Sequence, residues 1–438
     1  MKKYYNLFRN AACVILVLTA LLLIYQIWSM AVGTSKFNLL RRAFFNRNVQ
    51  EQYYPGYAEQ SWALDVITPL CCAVRSGSGA GLYGTPNRET ASVCFEKVSA
   101  VLAEALETSK APVEVSDVQW QEAMSQTMVY MKFGGNIPLA TLAGILGAEA
   151  PSGLTDTAAC LILSVTGEPD GKIMLLYQNS DGINCRLETM ADMQYLTSIC
   201  QEAVPNGYCF EWELIGEDAH EAVLLQPNAQ VPELTAVSIL EASAETDANR
   251  FLDGILENFE FNTYMPHSYR ESDGTQVYVD EERQLRVSVD GWVSYFDSEA
   301  DRNSAYDPDE GEKAVRIAEA AKAASAAEAS FTGDAKLYLM DAVYNEENGL
   351  FIIRFGAEYG GYPILNDRGY AVQVEFRGTE LVSVNFLLRS FHNTGGNIAV
   401  LPSAQAIKAA HNKRGFGLCY VLNKGTISAG WYEADSIE

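Results

Sequence analysis

The chain has 438 residues, 48% of them apolar, and a formal net charge of −25 from 31 Lys+Arg against 56 Asp+Glu. That much apolar material fills real cores, so wholesale disorder is excluded, and the length suits roughly two to four domains. Residues 1–50 hold seven of the bases (Lys2, Lys3, Arg9, Lys36, Arg41, Arg42, Arg47) and no acid, so the remaining 388 residues carry 24 bases and 56 acids. Their net charge of −32 would repel a phosphate backbone and argues against nucleic-acid binding.

Between Arg9 and Lys36 no charged residue occurs, and residues 11–32 read AACVILVLTALLLIYQIWSMAV. A helix of that length rises about 33 Å, enough to cross a hydrocarbon core. Tyr25 and Trp28 fall near its far end, where amphipathic rings favour the interface. A cleavable signal peptide is the alternative, with Lys2, Lys3 and Arg9 as its basic end and Ser29-Met30-Ala31 as a small-x-small site. The apolar run is at the long end for a signal peptide, so an uncleaved anchor is expected, inserted in the membrane. Bases flank both ends, so the positive-inside rule does not set the orientation. The short tail 1–10 before a long domain favours a cytoplasmic N-terminus and an extracytoplasmic body.

After a juxtamembrane stretch, 33–60, an apolar run around Pro69 (62–74) predicts a strand and 75–86 a glycine-rich loop. Residues 90–109 predict a helix with Cys94, Val98, Val101, Leu102 and Ala105 on one face. Residues 127–133 alternate like a strand, Gly134-Gly135-Asn136 reads as a turn, and Pro138 suits the first turn of a short helix at 137–146. A hairpin follows at 159–166 and 172–177, then a helix at 189–204 ended by Pro205-Asn206-Gly207. Strands near 208–214 and 222–225 complete a mixed α/β domain, 61–233, with Pro227 and Pro232 marking the linker 226–233 out of it.

The rest contains what reads as an internal repeat. A helix at 246–259 precedes strands at 277–280 and 285–295; an alanine-rich helix at 312–330 precedes strands at 350–355, 363–367 and 372–384. In both copies a short strand ending in an acid leads to an alternating strand, a glycine turn and a second alternating strand. Such sheets bury one face, which the preceding helix can cover. The expected fold is therefore α+β: one transmembrane helix, the mixed α/β domain, and two helix-on-antiparallel-sheet modules, 234–311 with an acidic linker and 312–438.

Catalytic signatures are not visible. Gly79-Ala80-Gly81-Leu82-Tyr83-Gly84 matches G-x-G-x-x-G, but Thr85-Pro86-Asn87 separate it from the helix, and the acids about 20 residues on (Glu104, Glu107) lie inside that helix. A surface loop is the better reading. Residues 297–312 pack seven acids into sixteen positions, yet a calcium loop begun at Asp297 would have Arg302 sixth and Pro308 twelfth. The nine cysteines form no C-x-x-C, and none of the four histidines has zinc-ligand or H-E-x-x-H spacing, so no metal, cofactor or catalytic residue is assigned. Buried free thiols are expected for the eight outer cysteines. A glycosidase-type carboxylate pair, whose geometry sequence does not display, leaves a wall-acting enzyme as a third-ranked reading.

Four passages resemble the YycH/YycI family. These are the N-terminal span with its body outside; Met128-Val129-Tyr130-Met131-Lys132-Phe133 leading to Ile137-Pro138-Leu139; Gln276-Val277-Tyr278-Val279 with Leu285-Arg286-Val287; and Gly361-Tyr362-Pro363-Ile364 followed by Gly369-Tyr370-Ala371-Val372. One departure is that Gly430-Trp431-Tyr432 is not followed by the family's apolar-Pro-Val-Trp strand. The resemblance implies a membrane-anchored regulator of the YycG (WalK) sensor histidine kinase. Its partners would be that kinase and a related anchored regulator, and it would not be an enzyme. In that setting Cys13, Thr19, Ala20 and Ser29 are the small or weakly polar residues through which the span could pack on a partner helix, although Thr19 could equally bond its own backbone. A free-standing outer protein binding peptide or wall polymer is the competing reading.

Overall fold

The computed structural model describes residues 61–432, apart from 166–170, 216–223, 227–229, 239–244, 263–266, 303–305, 329–332 and 410–415. The predicted span 11–32 lies outside the described residues, among which no helix is long and apolar enough to cross a membrane.

The run around Pro69 divides into two elements, helix α1 (Ser61–Ile67) and strand β1 (Cys71–Arg75), where one strand was expected. Proline disfavours helix in the residue before it and lacks an N–H of its own, so the chain changes conformation there. Next come β2 (Leu82–Thr85), α2 (Arg88–Glu107), β3 (Val113–Glu114), α3 (Asp117–Ser125), β4 (Met128–Pro138) and α4 (Leu139–Ile145). β5 (Thr157–Val165), β6 (Lys172–Gln178), β7 (Asn184–Asp192) and α5 (Met193–Gln201) complete the first layer. Seven strands form one antiparallel sheet in the order β2-β1-β4-β5-β6-β7-β3.

Both faces of this sheet are covered. Trp120 and Met124 of α3 pack with Met128, Tyr130, Ile162, Leu176 and Phe210 on one face. On the other, Phe95 of α2 meets Phe133 edge-on at 6.2 Å between centroids. α2 starts where Asn87 caps it, its side chain accepting from the N–H groups of Glu89 and Thr90; Ser116 and Gln119 form a capping box at α3. The helix expected from 189 begins only at Met193, capped by Asp192. Up to that point Leu187, Thr189 and Ala191 are buried while Glu188, Met190 and Asp192 are exposed, a strand's period of two. The glycine pair expected as a turn lies inside β4, where the pairing with β5 shifts register between Lys132 and Ile137.

Between the two large sheets lie β8 (Cys209–Phe210), α6 (Glu211–Ile215), β9 (Leu224–Leu225) and β10 (Gln230–Ser238). The expected strand near 208–214 is thus mostly helix, and the expected linker carries a strand. Among the described residues β10 pairs only with β20 (Arg389–Ala399), with a register shift between Pro232 and Leu234 that accommodates the proline.

The second half holds α7 (Glu245–Asn258), β11 (His267–Arg270), β12 (Gln276–Asp280), β13 (Arg283–Val287) and β14 (Trp292–Asp297). Then follow α8 (Glu310–Glu328), β15 (Lys336–Asn345), β16 (Leu350–Tyr359), β17 (Tyr362–Leu365), β18 (Val372–Arg377) and β19 (Glu380–Leu387). After β20 come α9 (Ser403–Ala409), β21 (Gly417–Asn423) and β22 (Thr426–Tyr432). The two modules expected here share one eleven-stranded sheet, because β14 and β19, the last strand of each copy, pair antiparallel from Trp292↔Leu387 to Phe296↔Ser383. The repeat is visible as a helix followed by strands in the orders β11-β12-β13-β14 and β15-β16-β18-β19, with β17 inserted. Its register differs from the sequence reading: β16, and not β17, occupies the place of β12.

Alanine-rich α8 packs against α1, α4, β15 and β18. Ala314, Ile317, Ala320, Ala321 and Ala324 are all buried, so small side chains there permit close approach from several sides. Phe259, just after α7, stacks on Tyr295 at 4.7 Å. The acidic linker contains a 3-10 turn (Ala300–Arg302), tied to the sheet by Arg377 and Asp301 at 2.8 Å.

Candidate functional site

Residues 57–438 form one compact unit, and the contact between its two large sheets is built from glycine and buried charge. Tyr338 on β15 lies where Cβ atoms at Gly134 and Gly356 would stand, 2.0 and 2.3 Å from its ring; one at Gly135 would be 1.8 Å from the Met340 carbonyl oxygen. Only glycine lets β4 and β15 come this close. Beside them the Arg88 guanidinium donates to the Leu337 carbonyl at 2.6 Å, to the Asp65 carbonyl, and to the Glu358 carboxylate at 3.2 Å. Glu358 also accepts from the Gly361 N–H at 2.7 Å. Burial pushes the Tyr338 phenol up, and the nearby Glu358 charge adds to it. A cation on the first turn of a helix opposes the helix dipole, so Arg88 depends on Glu358.

A second feature is an open cleft of about 460 Å³ between the end of β10 (236–238), Arg389 at the start of β20, and the β21–β22 turn. Lys424 and Gly425, both at positive φ (46° and 86°), make the two-residue turn between the paired Asn423 and Thr426. The Arg389 guanidinium lies 3.3 Å from where a Gly425 Cβ would be. Among the described residues no acid lines the cleft, and neither Arg389 nor Lys424 has an ion-pair partner. Neither residue stood out in the sequence. Asn423-Lys424-Gly425 marks a turn, but only the long-range β10–β20 pairing brings Arg389 to it.

The candidate interface residues Cys13, Thr19, Ala20 and Ser29 lie outside the described residues. Among the described residues no three His, Cys, Asp or Glu side chains are grouped to hold a metal ion. The eight cysteines from Cys71 to Cys419 are free thiols. Burial pushes most of them up, Cys71 to about 11 and Cys200 and Cys419 to about 12. Cys72 is raised well above its ordinary value by burial and by its hydrogen bond with Cys94. Cys94 moves the other way: the hydrogen bond from Cys72 lowers it against its own burial, and Lys97 adds to the lowering. The thiolate is the reactive form, so iodoacetamide should modify Cys94 first, and its lead should widen as pH falls because the raised thiols lose thiolate sooner. Peptide mapping by mass spectrometry checks this; earlier labelling of Cys71 or Cys209 would refute it.

Against known proteins, no family model matches the sequence and no curated protein matches it. An uncharacterised protein from Eubacterium rectale aligns in structure with a TM-score of 0.30 at 11% identity, over 46% of this chain and 75% of that one. The crystal structure of YycH from Bacillus subtilis aligns with a TM-score of 0.50 at 11% identity, covering 85% of this chain and 97% of that chain. The chain has a YycH-like fold.

Proposed function

We propose that this protein is a membrane-anchored, non-enzymatic regulator of a cell-wall-sensing histidine kinase. It acts through its N-terminal span and an extracytoplasmic body, in company with a related anchored regulator. The observation that carries this reading is the YycH-like fold, which extends over 97% of the solved YycH chain. The passages that resemble the family support it by their placement. Met128–Pro138 forms β4 with its glycine pair against β15, and Gly361-Tyr362 closes the Glu358 clamp at the start of β17. Two of the four passages thus border the contact between the two sheets.

Solubilising the membrane in mild detergent and capturing the tagged full-length chain tests the reading. A sensor histidine kinase should co-purify, and Ala20→Phe should reduce its recovery, because a packed helix interface tolerates no added ring whereas lipid does. Recovery of the chain with no kinase from membranes that contain it would overturn the proposal.

A further inference from the structure

We propose that the cleft between β10, Arg389 and the β21–β22 turn binds a small ligand through a single carboxylate group. The proposal is independent of the kinase reading. Arg389 and Lys424 line the same 460 Å³ space, and among the described residues no acid lines it. In a body whose residues 51–438 carry 56 acids against 24 bases, Arg389 and Lys424 line one cleft and neither has an ion-pair partner among the described residues. An anion in the cleft would meet both positive charges.

The chemistry narrows the anion. Arg389 is half-buried, and its Nη1 and Nη2 lie 3.3 and 3.8 Å from where a Gly425 Cβ would be. A planar guanidinium fork matches a carboxylate with two parallel hydrogen bonds, while the exposed Lys424 supplies a point charge at the rim. Ser238 and Thr426 line the same cleft, and each carries a hydroxyl that can donate a hydrogen bond. The net charge of −32 sets a limit on the ligand's own charge, since every further negative group meets the field of the body within a screening length of about 8 Å. A monocarboxylate takes the local attraction with the least long-range repulsion, whereas a polyanion does not. The volume lies in the range of small-molecule sites, roughly 300–1,000 Å³.

The test uses the full-length chain in detergent, with thermal unfolding midpoints titrated against N-acetylglycine, N-acetylglycinamide and inorganic phosphate at matched ionic strength. N-acetylglycine should raise the midpoint saturably and the uncharged amide should not. Its apparent dissociation constant should rise at least about 10-fold in Arg389→Gln and in Lys424→Asn, the loss expected for one hydrogen bond to a charged group. Lys424→Asn keeps a residue suited to positive φ on an exposed turn, so it reads the charge even where Arg389→Gln fails to fold. Equal response to acid and amide, response to phosphate alone, no response to any probe, or an unchanged constant in Lys424→Asn would each overturn the assignment.

Discussion

Arg88→Ala is expected to destabilise the body by about 3–5 kcal/mol, the usual result of removing one partner of a buried ion pair. Its guanidinium side chain is 8% exposed and that of Glu358 1%, so the carboxylate left behind stays in the interior with only the Gly361 N–H facing it. Two main-chain acceptors, Leu337 and Asp65, lose a donor at the same time. The double variant Arg88→Met/Glu358→Gln should recover much of the loss, because a neutral pair of similar volume carries no stranded charge. Denaturant unfolding of the three proteins, followed by tryptophan fluorescence, checks both statements. A double variant no more stable than Arg88→Ala would show that the carbonyl contacts, and not the charge, govern the junction.

Gly361→Ala should cost as much by another route. Gly361 has φ +86°, and a Cβ there would lie 1.4 Å from the Pro86 carbonyl oxygen and 2.7 Å from that of Leu70. Backbone atoms cannot swing aside as a side chain does, so the loop before α2 and the start of β17 would have to part. Left-handed strain of about 1–2 kcal/mol and overpacking of about 1–3 kcal/mol together give roughly 2–5 kcal/mol. Gly369→Ala supplies the comparison: its φ is +76° but nothing stands within 4 Å of the added Cβ, so only the conformational part applies. Equal midpoint losses for the two variants in the same unfolding assay would show that contact with Pro86 and Leu70 contributes nothing.

What could be read from the sequence follows from the range of the forces involved. The hairpin β5–β6, the helices α2, α7 and α8, and the strands β13 and β18 carry their own periodicity, and each was expected within a few residues of its place. Misreadings occur where distant chain decides. Pro227 and Pro232 argue locally for a linker, yet β20, some 150 residues away, supplies a partner and a register shift that makes room for Pro232. The run from Thr189 looks helical until β6 offers Lys172 opposite Asp192. β15, β20, β21 and β22 went unread because mixed polar and apolar residues such as Asn393-Thr394-Gly395-Gly396 become a strand only through the partner beside them. The same holds for the two sites. Arg88 and Glu358 are 270 residues apart, and Arg389 reaches the 424–425 turn only once the β10–β20 ribbon exists.

That ribbon also sets an order of events in time. The meander β4-β5-β6-β7 pairs neighbours in sequence and closes short loops, so it can form while later segments are still being made. β10 has to wait: Val237 meets Ser390 across 153 residues, which at about 5–20 residues per second is roughly 8–30 s of synthesis. Throughout that interval Val231 and Leu234, buried in the finished protein, sit on a strand with both edges unpaired. Substitutions that make β10 more hydrophobic should therefore lower the yield of folded chain before they change its stability, because they act on a species present only during assembly.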